Sequence, residues 1–153
     1  MIRVLMVCTG NICRSPMAEA TFRQLVHEAQ LDNQIEVDSA GTSRYHVGEH
    51  AHNGTLKVLA KHGIAYEGRS RLLTWDDLRA FDYVVAMDDD NLRGIRDLAV
   101  GGANVSRLLD YLPQQPLREV PDPYYSDRFD DVYDLVLAGS EALLKKIRGD
   151  CGL

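Results

Sequence analysis

The opening of the chain restricts its fold more than any other stretch. A short apolar run at residues 2–7 gives way to a small polar octet, residues 8–15, and then to a helical pattern. The run is rich in strand formers and predicts a buried strand. The octet, with its single glycine, predicts a loop. Pro16 stands where a helix's first turn tolerates proline, and Ala18, Phe22, Leu25 and Val26 recur at helical spacing. Ser15 is the natural N-cap for that helix, with Glu19 one position late for a strict capping box.

The same alternation continues. A brief second strand is expected at residues 35–39, followed by a polar loop over 40–52 that contains Gly41 and Gly48. Leu56, Val58, Leu59 and Ala60 predict a helix ending near Gly63. Residues 83–87 predict a third buried strand, with Asp88 as N-cap of a helix through Leu98. A fourth strand is expected at 105–109. Residues 112–126 carry four prolines, which predicts no regular structure there. Phe129, Val132, Val136, Leu143 and Ile147 mark a long amphipathic C-terminal helix. Strands alternating with helices imply βαβ units. The expected class is α/β, a four-stranded parallel sheet with helices on both faces in three α/β/α layers. With 153 residues and no repeat or linker, residues 1–153 read as one domain.

The net charge of −6 argues against a non-specific nucleic-acid binder, which needs a cationic face. It leaves room for an anionic substrate, because a small site can be locally positive. No apolar run approaches membrane-spanning length, and the N-terminus lacks a signal peptide's layout. A cytoplasmic protein without a membrane partner is expected, and a monomer. Three cysteines, Cys8, Cys13 and Cys151, make a disulfide scaffold a poor reading.

In parallel sheets, ligands bind beyond the carboxyl ends of the strands, which is where Cys8 falls. The octet has the spacing Cys8-x5-Arg14-Ser15. A strand-to-helix loop can turn several backbone N–H groups inward, and the helix N-terminus adds partial positive charge. That is a cradle for a tetrahedral oxyanion. Arg14 can fork two N–H donors onto two phosphoryl oxygens, which lysine cannot do. A free thiol ionises near pH 8.5, and helix-terminus and arginine neighbours favour the thiolate. A hydroxyl such as Ser15 can donate to the sulfur, and a thiolate so held can attack phosphorus. The plainer alternative is a buried cysteine with Arg14 in a surface ion pair. Isolated matches to this spacing are common, but here the flanking elements are the right ones.

Segment 7–19, VCTGNICRSPMAE, resembles the low-molecular-weight protein tyrosine phosphatases. Further matching segments are DSAGTS from Asp38, HGI from His62, AMD from Ala86 with Asn91, and DPYY from Asp122. They run in family order over nearly the whole chain. The resemblance implies a phosphotyrosine phosphatase I-like fold, with Cys8 as nucleophile, Arg14 as phosphate clamp and Asp122 as general acid. Thr9, Gly10, Asn11, Ile12, Cys13 and Ser15 complete the phosphate-binding loop in this reading. Asn11 and Ser39 match positions that brace the loop. One departure stands out: the family often carries a histidine at the position aligned with Gly68. No metal or other cofactor is implied.

Asp122 lies between Pro121 and Pro123, which restrict its backbone. By spacing alone it reads as a turn aspartate; the family match makes it the proton donor to the leaving group. Tyr124, Tyr125 and Tyr45 could line an aromatic slot, and the resemblance places Tyr45 and Tyr124 beside the substrate ring. For Cys13 it suggests a protective disulfide with Cys8 on oxidation, with a small buried thiol as the equal alternative.

His46, His50 and His52 share one loop but lack structural metal-site spacing, so a solvated loop is expected. The acids at 88–90 read as helix capping. Cys151 reads as incidental in a frayed terminus. The expected substrates are phosphotyrosine proteins or small aryl phosphates. Three other functions make different demands on the sequence. An arsenate reductase of this fold needs a downstream cysteine pair, and residues 70–110 contain no cysteine. A protein-arginine phosphatase tends to carry threonine where Ile12 stands and phenylalanine near the acid. A non-catalytic phosphate-binding module needs neither the thiolate nor Asp122.

Overall fold

A computed structural model describes residues 1–98 and 102–153. The strands are β1 (Ile2–Cys8), β2 (Ile35–Gly41), β3 (Tyr83–Ala86) and β4 (Asn104–Arg107). The helices are α1 (Arg14–Glu28), α2 (Asn53–Lys61), α3 (Asp77–Ala80), α4 (Asp89–Leu98), α5 (Pro123–Ser126) and α6 (Phe129–Cys151), with a 3₁₀ turn at Leu108–Tyr111. The strands pair in the order β2-β1-β3-β4, all parallel. The chain therefore leaves β1 in one direction and returns on its other side. That reversal makes a crevice beyond the carboxyl ends of β1 and β3, where such sheets bind ligands.

Alternation along β1 divides the core. Val4, Met6 and Cys8 face a large cluster with Met17 and Phe22 of α1 and with Val136, Leu143 and Ile147 of α6. Leu5 and Val7 face a smaller cluster with Leu78, Phe81 and Ile95 on the α3/α4 side. Three α/β/α layers result, as expected.

Several local expectations need correction. Helix α1 begins at Arg14, so Ser15 is not its N-cap but a fully buried first-turn residue. The cap position falls to Cys13, whose side chain makes no capping hydrogen bond. The fourth strand ends at Arg107, because Asp110 accepts from the Arg107 amide at 2.9 Å and turns the chain into the 3₁₀ segment. The proline-rich stretch does contain one helical turn, α5, with Asp122 as N-cap and Pro123 at the first position, where a missing N–H costs nothing. Cys151 is the last residue of α6 rather than part of a frayed end. Helix α3, four residues long, gave no periodic signal.

Candidate active site

The octet forms a closed turn between β1 and α1, and its geometry follows from where its carbonyls go. Thr42 N–H donates to Cys8 O at 3.0 Å and Ser43 N–H to Thr9 O at 3.0 Å. The Ser70 hydroxyl takes Gly10 O at 2.8 Å, His52 N–H takes Ile12 O at 2.8 Å, and the Thr55 hydroxyl takes Cys13 O at 3.0 Å. Five carbonyls are thus pulled outward by surrounding segments. The amides of residues 9–14 donate to no side chain or carbonyl among the described residues. The result is a concave array of N–H groups at the start of α1, suited to an oxyanion.

The turn needs one left-handed residue, Asn11 at φ 56°, and asparagine tolerates that region better than most side chains. Asn11 also braces the loop. Its Nδ2 donates to Ser15 Oγ at 2.7 Å and to Ser39 Oγ at 3.0 Å, while its Oδ1 accepts from Arg71 N–H at 3.0 Å. Asn11 and Ser39 are thus in direct hydrogen-bond contact beneath the loop. At the end of β2, a Cβ on Gly41 would lie 2.6 Å from Thr9 O, so the strand can pass this close to the loop only as glycine.

Cys8 is almost fully buried at the end of β1, its Sγ 3.0 Å from Ser15 Oγ. Arg14 is equally enclosed. It donates to Asp88 Oδ2 at 2.6 Å and to Val120 O at 3.0 Å, and its second terminal nitrogen lies 3.6 Å from Asp122 Oδ2. Burial works against the charged guanidinium, but the charges of Cys8, Asp88 and Asp122 outweigh it and hold Arg14 above its ordinary pKa. Cys13 behaves in the opposite way. Burial, then the negative charges of Cys8 and Asp122, push its thiol up to about 12. At neutral pH Cys13 is a plain thiol.

Above the loop opens a cleft of about 420 Å³. Its base is Cys8, Thr9, Gly10, Ile12, Cys13 and Arg14, and the rim adds Ser43, Tyr45 and His46 on one side. Asp122, Tyr124 and Tyr125 form the other side. Asp122 Oδ1 accepts from Tyr124 N–H at 3.0 Å, which leaves Oδ2 toward Arg14. Every residue expected to bind substrate lines this cleft except Asn11 and Ser15, which act from behind it.

Three residues here escaped the sequence reading. Asp88 caps α4, accepting from Asn91 N–H at 2.8 Å, but its other oxygen holds Arg14. Asn91 in turn donates to Thr9 Oγ1 at 3.0 Å. Both belong to the matching segment around Ala86, which was the available signal. His46 is a correction: it is not a solvated loop side chain but a wall of the cleft. Its ring lies 4.7 Å from Tyr45 and 5.9 Å from Tyr124, and a Cβ on Gly10 would meet it at 2.9 Å. The other two histidines go elsewhere. His52 caps α2 and stacks on Phe129 at 5.1 Å, and His50 Nδ1 lies 2.8 Å from Ala51 O.

The low molecular weight phosphotyrosine protein phosphatase family matches residues 3–151. The low molecular weight protein-tyrosine-phosphatase YfkJ of Bacillus subtilis is 44% identical over 151 residues, 97% of each chain. PtpA of Staphylococcus aureus, with the same family description, is 41% identical and covers 100% of this chain and 98% of its own. The crystal structure of YfkJ superposes with a TM-score of 0.96 over 99% of this chain and 97% of that one. That of a Drosophila arginine phosphatase, 30% identical, gives 0.92 over 96% and 98%. The likeness extends from the first strand to the last helix instead of stopping at the loop, and on that ground the chain belongs to the low molecular weight phosphotyrosine protein phosphatase family.

Proposed function

We propose that this phosphatase hydrolyses phosphotyrosine monoesters through a phosphocysteine at Cys8, with Asp122 as general acid and base. The observation that carries the reading is the run of amides at residues 9–14 without partners among the described residues, beside Cys8, with Arg14 and Asp122 3.6 Å apart in the same cleft. The amides and the Arg14 guanidinium receive the phosphoryl oxygens, whose charge is greatest in the transition state. Cys8 Sγ attacks phosphorus, the S–P bond forms, and the aryl P–O bond breaks. Asp122 gives its proton to the departing phenolate oxygen. In the second step the Asp122 carboxylate takes a proton from water, the new P–O bond forms, and the S–P bond breaks. The Ser15 hydroxyl at 3.0 Å stabilises the returning thiolate, and inorganic phosphate leaves.

Substrate choice rests on the walls. Ile12 presents a buried apolar side chain at the base, and Tyr45, His46 and Tyr124 form an aromatic rim. A phenyl ring packs well between such surfaces, whereas a phosphoarginine guanidinium leaves its donors facing apolar groups. Phosphotyrosine proteins and small aryl phosphates fit this rim. Three free cysteines suit a reducing compartment, which supports a cytoplasmic setting. Among the described residues no helix is long and apolar enough to cross a membrane.

The test is a side-by-side assay of a phosphotyrosine peptide, a phosphoarginine peptide and arsenate reduction, with EDTA present throughout. Phosphotyrosine is expected to turn over faster than phosphoarginine by about 10²-fold in kcat/KM. Equal or reversed preference overturns the tyrosine reading, and arsenate reduction overturns the hydrolase reading.

A further inference from the structure

Gly68 stands where the resemblance to the family leads one to expect a histidine, and the structure fills the place from another direction. A Cβ built on Gly68 would come within 2.3 Å of the Tyr66 hydroxyl oxygen and 2.6 Å of its Cζ. A side chain at 68 and the phenol at 66 therefore exclude each other. The phenol donates to Glu19 Oε1 at 2.8 Å, and Glu19 is a buried carboxylate on α1. The same oxygen accepts from the Ser39 hydroxyl at 2.5 Å, and the other carboxylate oxygen accepts from Arg23.

From Glu19 the hydrogens can be followed to the nucleophile. A carboxylate only accepts, so the single hydrogen of Ser39 is committed to Glu19, and its lone pair faces Asn11 Nδ2 at 3.0 Å. The Asn11 amide cannot flip, because its Oδ1 takes the Arg71 amide. Its second N–H hydrogen goes to Ser15 Oγ at 2.7 Å. Ser15 thus accepts from Asn11 and has one hydrogen left. Cys8 Sγ lies at 3.0 Å, while the competing Ala40 carbonyl lies at 3.5 Å.

We propose that Tyr66 is a positioning residue that acts through Glu19, Ser39, Asn11 and Ser15 to orient one hydrogen bond onto Cys8, in the role the family often gives to a histidine at 68. Burial and the neighbouring Glu19 carboxylate hold the Tyr66 phenol well above its ordinary pKa, so it remains a donor at any working pH. The charged groups on the Cys8 side of the path are Arg14 and Asp122, with Cys13 a neutral thiol there, and on the Glu19 side Arg23. None of them is altered by removing the phenol oxygen. The plain alternative is that Tyr66 and Glu19 merely tie α1 to the segment after α2.

The two are separated by Tyr66→Phe, which deletes only the hydroxyl. Iodoacetamide alkylation of Cys8, read by site-resolved mass spectrometry between pH 5 and 9, reports the thiolate directly. At pH 6 the variant is expected to alkylate about threefold more slowly than wild type, the two converging at high pH. A tie without a positioning role lowers the melting temperature and leaves the two alkylation profiles superimposed, which overturns the proposal. Ser39→Ala cuts the same path one step nearer and must shift the profile in the same direction; a wild-type profile there also overturns it. Gly68→His is expected to lose activity alone and regain it with Tyr66→Ala, because only then is the space free. The inference rests on Cys8 being the nucleophile of the proposed phosphatase. A wild-type protein inactive on aryl phosphates overturns that reading, whereas the alkylation profile tests Tyr66 without any substrate.

Discussion

The floor and the walls of the cleft are built on different principles. Cys8, Asn11, Arg14 and Ser15 are at most 3% exposed, and the loop that carries them is held by hydrogen bonds from β2, α2, α4 and the segment around Arg71. Arg71 itself is pinned, with its guanidinium on Asp38 at 3.1 Å and Asp77 at 3.0 Å. The walls are the reverse. Tyr45 is 83% exposed, Tyr124 44% and Tyr125 86%, and their listeners in the structure are mainly one another and two histidine rings. A floor set from so many sides keeps donors where charge develops, which is where a fixed geometry acts most strongly on rate. In the proposed reaction the exposed walls are what the leaving group meets. Chemistry and selectivity are therefore separable here, and substitutions in the two regions should divide accordingly.

The largest effect is expected at the centre of the floor. Cys8→Ser should lower kcat on para-nitrophenyl phosphate by at least about 10⁴-fold, since a serine hydroxyl in the same place is almost never ionised. A wild-type rate from that variant removes covalent catalysis altogether. Asp122 belongs to both regions, fixed through the α5 cap yet about one-third exposed at its side chain. Asp122→Asn should lower kcat by about 10²-fold while competitive inhibition by phosphate stays nearly the same. The loss should grow as the leaving phenol becomes more basic. If phosphate binding falls along with kcat, Asp122 belongs to the floor as a structural part.

The sequence disclosed these two regions unequally, and the reason is physical. Cys8, Arg14 and Ser15 lie within one short segment whose flanks, an apolar run and a helical period, are local signals. The sheet was equally accessible, because β1 from Val4 onward and β3 are apolar runs followed by turn residues. What stayed hidden depends on approach between distant segments. Asp88 and Arg14 are 74 positions apart, and nothing in the acidic run at 88–90 separates a capping carboxylate from one that also holds a guanidinium. Tyr66 and Glu19 are 47 apart, and their contact requires the missing side chain at 68. The start of α1 at Arg14 was missed because Ser15 is a good capping residue; tertiary demand for its hydroxyl beside Cys8 outweighed that local preference. Helices α3 and α5 are single turns, too short to show a period.

A wall substitution gives the next smaller effect. Tyr124→Ala should raise KM for aryl phosphates about five- to tenfold and change kcat less than its KM, because it removes stacking area without touching the reacting atoms. Its ring also packs on His46 and His52, at 5.9 and 5.8 Å, so the loss of one tyrosine loosens the rim as a unit. Saturation kinetics on a phosphotyrosine peptide measure the split. A fall in kcat with unchanged KM would mean that the wall helps set the floor, and the separation drawn above would fail.

The smallest expected effect concerns Cys13, a floor residue whose expected role is tested under oxidation. Hydrogen peroxide oxidises the Cys8 thiolate to a sulfenic acid, and the hydroxide released takes a proton from solvent to become water. A thiol nearby can then condense with it, forming a disulfide and a second water, and so keep the sulfur from further oxidation. Cys13 suits the second role better than the first: burial and the charges of Cys8 and Asp122 push it up to about 12, so at neutral pH it is too seldom ionised to react first with peroxide. After a peroxide pulse and dithiothreitol, wild type should regain nearly all of its own starting rate and Cys13→Ser about half or less of its own. Each protein is compared with itself, because Cys13 lines the cleft and its replacement can alter the basal rate. Equal recovery would leave Cys13 as nothing more than a small buried thiol that fills the space beneath the phosphate loop.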